Sequence, residues 1–470
     1  MRSLAEISKQ RKQRMKVRAF IAITACKFTH WLLRVMGRGA TQLPGRVANK
    51  IYPDLLGYLA RDVRTIIVTG TNGKTTTSRI LEETLREAGI SFFENKSGAN
   101  LLNGITAIFI ENCTATGKPK KNTALIESDE AAFKKVGKYT DPELVLVTNV
   151  FRDQLDRYGE VTHTLNNIKT GIQNSPHAVV CLNADCSLTA SLKDDIDNKV
   201  IFYGVNEPIY KHRVREESDA PYCIHCKHEY EYEYITYGHL GKYYCPNCGY
   251  SRPDPDVAVS RVFISDADHS EIEIEAAGER FKALINLPGG YNIYNGISAV
   301  AVAYALGLDV KTAVGALSNF ECGFGRMEKF MLGQAAARMI LIKNPAGCNQ
   351  VLNFLSNISE ESIFVVCLND NYADGRDISW IWDVDFEVLA GLQDRLSLIY
   401  LSGIRADEIA MRFKYAGIDP SKIKVQKDYG KLVDAISGQD RAVYIMPTYT
   451  AMMDLRALIS KRFGYKNFWE

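Results

Sequence analysis

The sequence predicts an α/β protein built of two successive units, each a mostly parallel sheet with helices on its faces. Three observations carry this. Apolar, β-branched runs recur at 65–69, 123–126, 144–148 and 178–182, separated by helical or loop material, the pattern of buried parallel strands. A second alternation begins after about Cys322, with strands predicted at 339–343, 363–369, 397–402, 422–425 and 442–446. At 470 residues the chain also exceeds what one hydrophobic core usually supports.

The first segment, 1–60, reads as a basic helical arm. Residues 1–64 hold fourteen Lys/Arg against three acids, a net +11 in a chain whose total is only +2. Its apolar stretch, Phe20 to Met36, is broken by Lys27, His30 and Arg34. That is too charged to span a bilayer, and it lacks the small-residue cleavage pattern of a signal peptide. An amphipathic helix is predicted instead, packed on the body of the protein or touching an anionic surface.

The central unit is placed at 61–322. Its first strand, 65–69, ends at Gly70, and a helix runs from Lys74 to Ala88 with Gly89 as its C-cap. Residues 221–251 turn rich in Cys, His, Tyr and Gly and read as an insertion. Alternating segments at 259–264, 271–275 and 280–286 predict an antiparallel flank, followed by an Ala-rich helix from Asn292 to Leu306 closed by Gly307. The C-terminal unit, 323–470, is predicted to be Rossmann-like.

Between the first strand and its helix lies V-T-G-T-N-G-K-T-T-T, residues 68–77. Backbone N–H groups of such a turn, with the helix N-terminus behind them, cradle phosphate. Gly70, Thr71, Asn72, Gly73, Lys74, Thr75 and Thr76 are therefore assigned to a nucleoside triphosphate. Lys74 reaches the β- and γ-phosphates, and the Thr75 hydroxyl ligates Mg²⁺. Only two residues separate Gly70 from Gly73, so the loop is tighter than the usual P-loop.

Of eleven cysteines, four fall in two pairs and seven are scattered, the usage of a reducing, cytoplasmic compartment. Cys223 and Cys226 are separated by 18 residues from Cys245 and Cys248, the spacing of a zinc ribbon. Four thiolates leave no open position on the metal, so a structural Zn²⁺ is expected. Lys227, Lys242 and Arg252 are offset by Glu229, Glu231 and Glu233, too weak a basic footprint for nucleic acid.

Several segments together resemble the Mur ligases and folylpolyglutamate synthases. The G-T-N-G-K-T-T loop is the first. The run from Ala124 to Asp129 resembles the family strand whose Glu, here Glu127, holds Mg²⁺. The run from Val147 to Tyr158 is similar to the T-N-x-x-x-D-H-x-D segment, with Gln154 in place of a metal-binding His. L-P-G-G-Y-N-I-Y-N, residues 287–295, resembles the element that meets adenine, which implies Asn292 and Asn295. G-R-M-E, residues 325–328, resembles the opening of the family's C-terminal domain, which implies that Arg326 reaches the γ-phosphate. Lys169 stands at the spacing of the family's carbamylated Lys. Ile340 replaces a ribose-binding Asp, so ribose contacts must differ. The fold implied is a Mur ligase-type P-loop central domain with a zinc-ribbon insertion and a Rossmann-like C-terminal domain.

Only about 60 residues precede the loop, too few for the UDP-binding domain of typical Mur ligases. That shortage, the four-cysteine insertion and the divergent C-terminal unit resemble the MurT branch of the superfamily. The resemblance implies ATP-dependent amidation of the α-carboxylate of D-glutamate in the lipid II stem peptide to D-isoglutamine, through an acyl phosphate. It also implies a GatD-like class I glutamine amidotransferase partner that supplies ammonia. No cysteine here sits in a G-x-C-x-G elbow, so glutamine hydrolysis belongs to another chain. In the acidic segment 369–383, Asp377 is the first choice, and Asp374 the second, to orient the partner's catalytic His. The basic arm would bring the protein to the inner face of the membrane as a peripheral protein, not a transmembrane one. Two rivals remain on sequence alone: a folylpolyglutamate-synthase-like ligase and a nucleotide-gated scaffold without catalysis.

Overall fold

The computed structural model describes residues 4–36, 42–95, 99–152, 161–209, 218–265, 269–287, 289–320, 326–356, 358 and 360–465. The chain opens with helices α1 (Leu4–Val35), α2 (Leu43–Ile51) and α3 (Leu55–Ala60). One face of α1 is docked: Ala19, Ala22, Ile23 and Cys26 are buried in the central core. Their 3- and 4-residue spacing puts them on one side of the helix. Lys27 Nζ donates to the carbonyl of Cys113 at 2.8 Å, and His30 Nδ1 lies 2.7 Å from Glu111. No helix among the described residues is long and apolar enough to cross a membrane.

The first sheet comprises β1 (Arg64–Thr69), β2 (Phe92–Glu94), β3 (Thr123–Glu127), β4 (Leu144–Val147), β5 (Val179–Asn183), β6 (Val200–Val205), β9 (Val257–Ser265), β10 (Ser270–Ala276) and β11 (Glu279–Ile285). Between β6 and β9 the insertion carries its own hairpin, β7 (Glu231–Tyr237) and β8 (Leu240–Tyr244). The sheet order is β11-β10-β9-β6-β5-β4-β1-β3-β2. Strands from β2 to β9 run parallel, and β9, β10 and β11 form the antiparallel flank. Its faces are covered by α4 (Lys74–Glu87), α5 (Leu102–Glu111), α6 (Glu130–Thr140), α7 (Val161–Gln173), α8 (Gly290–Ala305) and α9 (Val310–Asn319). Strand order reverses at β1, which lies between β4 and β3. The C-terminal ends of these strands are thus the place where an open sheet accepts a ligand.

The second sheet has the order β12-β13-β17-β14-β15-β16. Its strands are β12 (Arg326–Leu332), β13 (Ala335–Ile340), β14 (Ser362–Cys367), β15 (Leu396–Ser402), β16 (Ile423–Val425) and β17 (Ala442–Pro447). Helices α10 (Pro345–Ser356), α11 (Ala406–Tyr415), α12 (Tyr429–Ser437) and α13 (Tyr449–Phe463) flank it.

Two sequence expectations are corrected here. The strand predicted at 339–343 ends at Ile340 and begins at Ala335, because β13 folds back on β12 around Gly333 at φ +65°. Beyond Ile340, Leu341 leaves the ladder to line the cleft, while Ile342 packs into the core of the second sheet. Strands β2, β6, β7, β8 and β12 were not predicted: β2 has three residues, too few to show a period, and β12 is an edge strand of mixed polarity.

Candidate active site

A cleft of about 540 Å³ lies between the two sheets, floored by the loop after β1. Both loop glycines are required by geometry. Gly70 has φ +118° and Gly73 φ +83°, and a Cβ on either would collide, with Thr148 Oγ1 in the first case and Asn295 Oδ1 in the second. The loop is pinned from β4. Asn149 accepts the Asn72 N–H at 2.9 Å through Oδ1 and donates back to the Asn72 carbonyl at 3.2 Å. The Thr148 hydroxyl donates to the same carbonyl at 2.7 Å. So held, the loop turns the first residues of α4, Lys74, Thr75 and Thr76, onto the cleft wall, where a helix N-terminus favours phosphate.

Lys74 is 12% exposed, and its ammonium sits 2.6 Å from Glu130 Oε1 while also donating to the Gly70 carbonyl. Burial alone would lower its pKa, but Glu130, Glu127 and Asp129 outweigh it and hold the group above the ordinary lysine range. Burial pushes the Glu130 carboxyl up, opposed by Lys74. Glu127 ends β3, and the Asn95 amide grips its backbone from both sides at 2.8 Å. Asp129 is engaged as the N-cap of α6, accepting from Ala131 and Ala132. The cleft therefore holds a cation for phosphate and, in Glu127 with the Thr75 hydroxyl, hard oxygen donors of the kind Mg²⁺ takes.

Asn292 and Asn295 line the same cleft from α8, joined by a 2.9 Å bond from Asn295 Nδ2 to Asn292 Oδ1. Asn295 packs directly on Gly73, which makes it a buttress of the loop. The opposite wall comes from the second sheet: Ile340, Lys343, Gln350 and Asp374 among others. Asn344 crosses the gap, its Nδ2 donating to Asn72 Oδ1 at 3.2 Å.

Other assigned residues fall elsewhere. Arg326 opens β12, but its side chain, like Gln154, lies outside the described residues. Lys169 sits on α7, partly exposed, 3.1 Å from Asp195 and outside the residues that line the cleft. Asp374 is committed to the fold, accepting from the Thr450 backbone at 2.7 Å and its hydroxyl at 2.5 Å. Asp377, by contrast, is outside the cleft lining and caps the turn at Ser379 from 2.8 Å.

The Sγ atoms of Cys223, Cys226, Cys245 and Cys248 all lie within 4.8 Å of one another, with nearest pairs at 3.4 and 3.6 Å. Sulfurs each about 2.3 Å from one ion need that spacing. The two knuckles match: the residue after each second cysteine, Lys227 and Gly249, has positive φ. The hairpin between them reaches back to the cleft, where Tyr237 joins the lining and stacks on Phe151 at 5.6 Å. Thr236 bonds Tyr294 of α8 at 2.7 Å, and Tyr294 donates to the buried Asp185 at 2.5 Å.

Sequence reasoning gave no role in this site to Glu130, Asn149, Asn344 or Tyr237. Glu130 directly follows the run 124–129, and Asn149 lies inside the family-like run 147–158. Asn344 and Tyr237 reach the cleft from elements remote in sequence.

Comparison with known proteins agrees with this architecture. Residues 68–249 match the Mur ligase middle domain, and residues 341–452 match the MurT ligase C-terminal family. The chain is 35% identical to the MurT subunit of lipid II isoglutaminyl synthase from Streptococcus pneumoniae, over 95% of this chain and 98% of that one. It is 33% identical to the MurT subunit from Staphylococcus aureus, over 95% and 99% respectively. Among solved structures, a pseudomurein peptide ligase from Methanothermus fervidus superposes with a TM-score of 0.65 at 20% identity, covering 89% of this chain and 84% of that one. The chain therefore belongs to the MurT family of the ATP-dependent Mur ligases.

Proposed function

We propose that this chain is the synthase subunit of a lipid II isoglutaminyl synthase, amidating the α-carboxylate of D-glutamate in the stem peptide. The observation that carries the reading is the cleft itself. A triphosphate loop, a buried lysine and a carboxylate group meet there in a chain that matches MurT subunits along nearly its whole length. The same match favours this reading over a folate-type ligase or a scaffold.

In this reading residues 1–60 form the arm, 61–322 carry the nucleotide site, and 323–470 supply the second wall of the cleft. Gly73, Lys74 and Thr75 bind the triphosphate of ATP, with Thr75 and Glu127 as the Mg²⁺ ligands. A Mg²⁺ ion held by these two side chains would supply positive charge to offset that of the phosphate oxygens. Asn292 faces the adenine side. Lys74, with Arg326 from β12, offsets the charge that develops as the γ-phosphorus bonds to a carboxylate oxygen and ADP departs. Ammonia then attacks the acyl carbon of that mixed anhydride. The carbon–oxygen bond to phosphate breaks, inorganic phosphate leaves, and a proton is lost to give the amide.

Ammonia comes from a GatD-like class I glutamine amidotransferase, toward which Asp377 would orient the catalytic His. The four cysteines hold a structural Zn²⁺. The protein works at the cytoplasmic membrane surface, where a lipid-linked acceptor lies. The test is isotopic. Acceptor labelled with ¹⁸O in its α-carboxylate should pass one label to inorganic phosphate for each amide formed, and unlabelled phosphate beside labelled acceptor would refute the acyl phosphate.

A further inference from the structure

Helix α1 has two apolar faces. Ala19, Ala22, Ile23 and Cys26 are buried against the protein. Facing away from them, Val17, Phe20, Ile21, Phe28, Trp31 and Val35 are between 49% and 67% exposed. Their spacing of three, one, seven, three and four residues keeps them within one stripe of an α-helix. Phe28 and Trp31 lie together, ring centroids 5.8 Å apart. Thr24, inside the stripe, turns its hydroxyl back to the Phe20 carbonyl at 2.8 Å, so its donor is satisfied without water.

Exposed cations border the stripe on both sides: Lys16 and Arg34 along one edge, Arg18 along the other. An apolar band with aromatic residues between cationic rims fits a helix lying in the headgroup region of an anionic bilayer. The docked face fixes the helix on the body, so its immersion also orients the cleft. Gln42, six residues beyond Met36, lines that cleft, and six residues of chain reach at most about 20 Å.

We infer that the outward stripe of α1 is a membrane-docking surface that inserts into the interface of an anionic bilayer. Its purpose, delivery of the cleft to a lipid-linked acceptor, rests on the function proposed above, whereas the affinity for lipid does not. The test uses the full chain with its partner subunit and vesicles free of acceptor, either of phosphatidylcholine alone or with phosphatidylglycerol added. Sedimentation should show binding at least about tenfold tighter to the anionic vesicles, falling steeply with salt. Trp fluorescence should shift to the blue on binding, and Trp31→Phe should remove that shift.

The double variant Phe28→Asp/Trp31→Asp should lose vesicle binding while still amidating a water-soluble acceptor peptide. Equal vesicle binding by parent and double variant, or no preference for anionic lipid, would overturn the inference. So would loss of the partner subunit or of a dimer in the double variant, which would identify a protein interface. If vesicles bind as expected but no acceptor is amidated, the proposed function fails and the docking surface stands.

Discussion

Asn344 Nδ2 lies 3.2 Å from Asn72 Oδ1, a side-chain bond between the second sheet and the phosphate loop of the first. The two residues are 272 positions apart in sequence. Arg152 and Asp383 form a second tie between the two sheets, at 2.9 Å. Both bonds end on segments that follow strands of the first sheet, so the approach of the second sheet and the shape of the loop are linked.

Asn344→Ala should weaken that link. The amide also accepts the Gly347 N–H at 2.8 Å, so some loss of stability is expected, about 1 kcal/mol. The larger effect should be on catalysis: kcat/KM for ATP should drop about five- to tenfold. Steady-state kinetics paired with a thermal melt separates the two effects. Unchanged kinetics with a lowered Tm would make Asn344 a cap only.

Lys74→Ala should reduce phosphate release by about 10³-fold or more, since the cation is lost where charge develops. The fold should survive, because Glu130 can take up a proton once its partner is gone, and burial already pushes its carboxyl that way. Glu130→Gln keeps the cation but loosens its position, so a smaller loss, about tenfold, is expected. Activity close to the parent in Lys74→Ala would remove the loop from the mechanism.

Metal content should decide the role of the four cysteines. The purified protein should carry zinc, and Cys226→Ser should carry markedly less by elemental analysis. Nucleotide affinity should fall as well, because the same hairpin supplies Tyr237 to the cleft and Thr236 to Tyr294. Calorimetry with an unhydrolysed ATP analogue reads this directly. Zinc loss without any change in affinity would confine the module to local stability.

Asp377→Ala addresses the partner. Glutamine hydrolysis by the complex should collapse, while amidation driven by added ammonium salts should continue near the parental rate. Equal loss of both activities would place Asp377 in the synthase site or in the fold.

Stability should depend on pH through Glu82. Burial, reinforced by a hydrogen bond and the charge of Glu94, pushes its carboxyl up to about 8 from an ordinary 4.5. An acid raised on folding contributes stability that is complete below the unfolded value and is lost as pH climbs through about 8. Glu82→Gln cannot ionise. It should melt roughly 2 °C higher than the parent at pH 9 and close to it at pH 4.5. Parallel melting curves across that range would contradict the assignment.

How much was legible follows from how far each determinant lies along the chain. The strand–loop–helix at 64–87, the cysteine pairs and the antiparallel flank are local patterns, and each formed where the residues predicted it. The hairpin of β12 and β13 was not read, because exposed Met331 in β12 and the run of alanines in β13 blur the alternation that one-sided burial would otherwise leave. Lys169 was picked out by spacing, which says nothing about which face of a helix meets the cleft; it lies beside Asp195, outside the lining.

What the amino-acid order determined by itself was chemistry that neighbouring residues complete: glycine turns, a helix N-terminus above phosphate, thiolates in pairs. Tertiary structure alone decided which distant groups share the cleft. Lys74 against Glu130, Asn344 against Asn72 and Tyr237 against Phe151 are pairings made by sheet topology and by a crossover between sheets. Side chains from separate elements meet only once burial of apolar faces has fixed how those elements pack. The outward stripe of α1 shows the same limit in reverse: its sequence is amphipathic in outline, but only the docked face shows which apolar residues were left for something else.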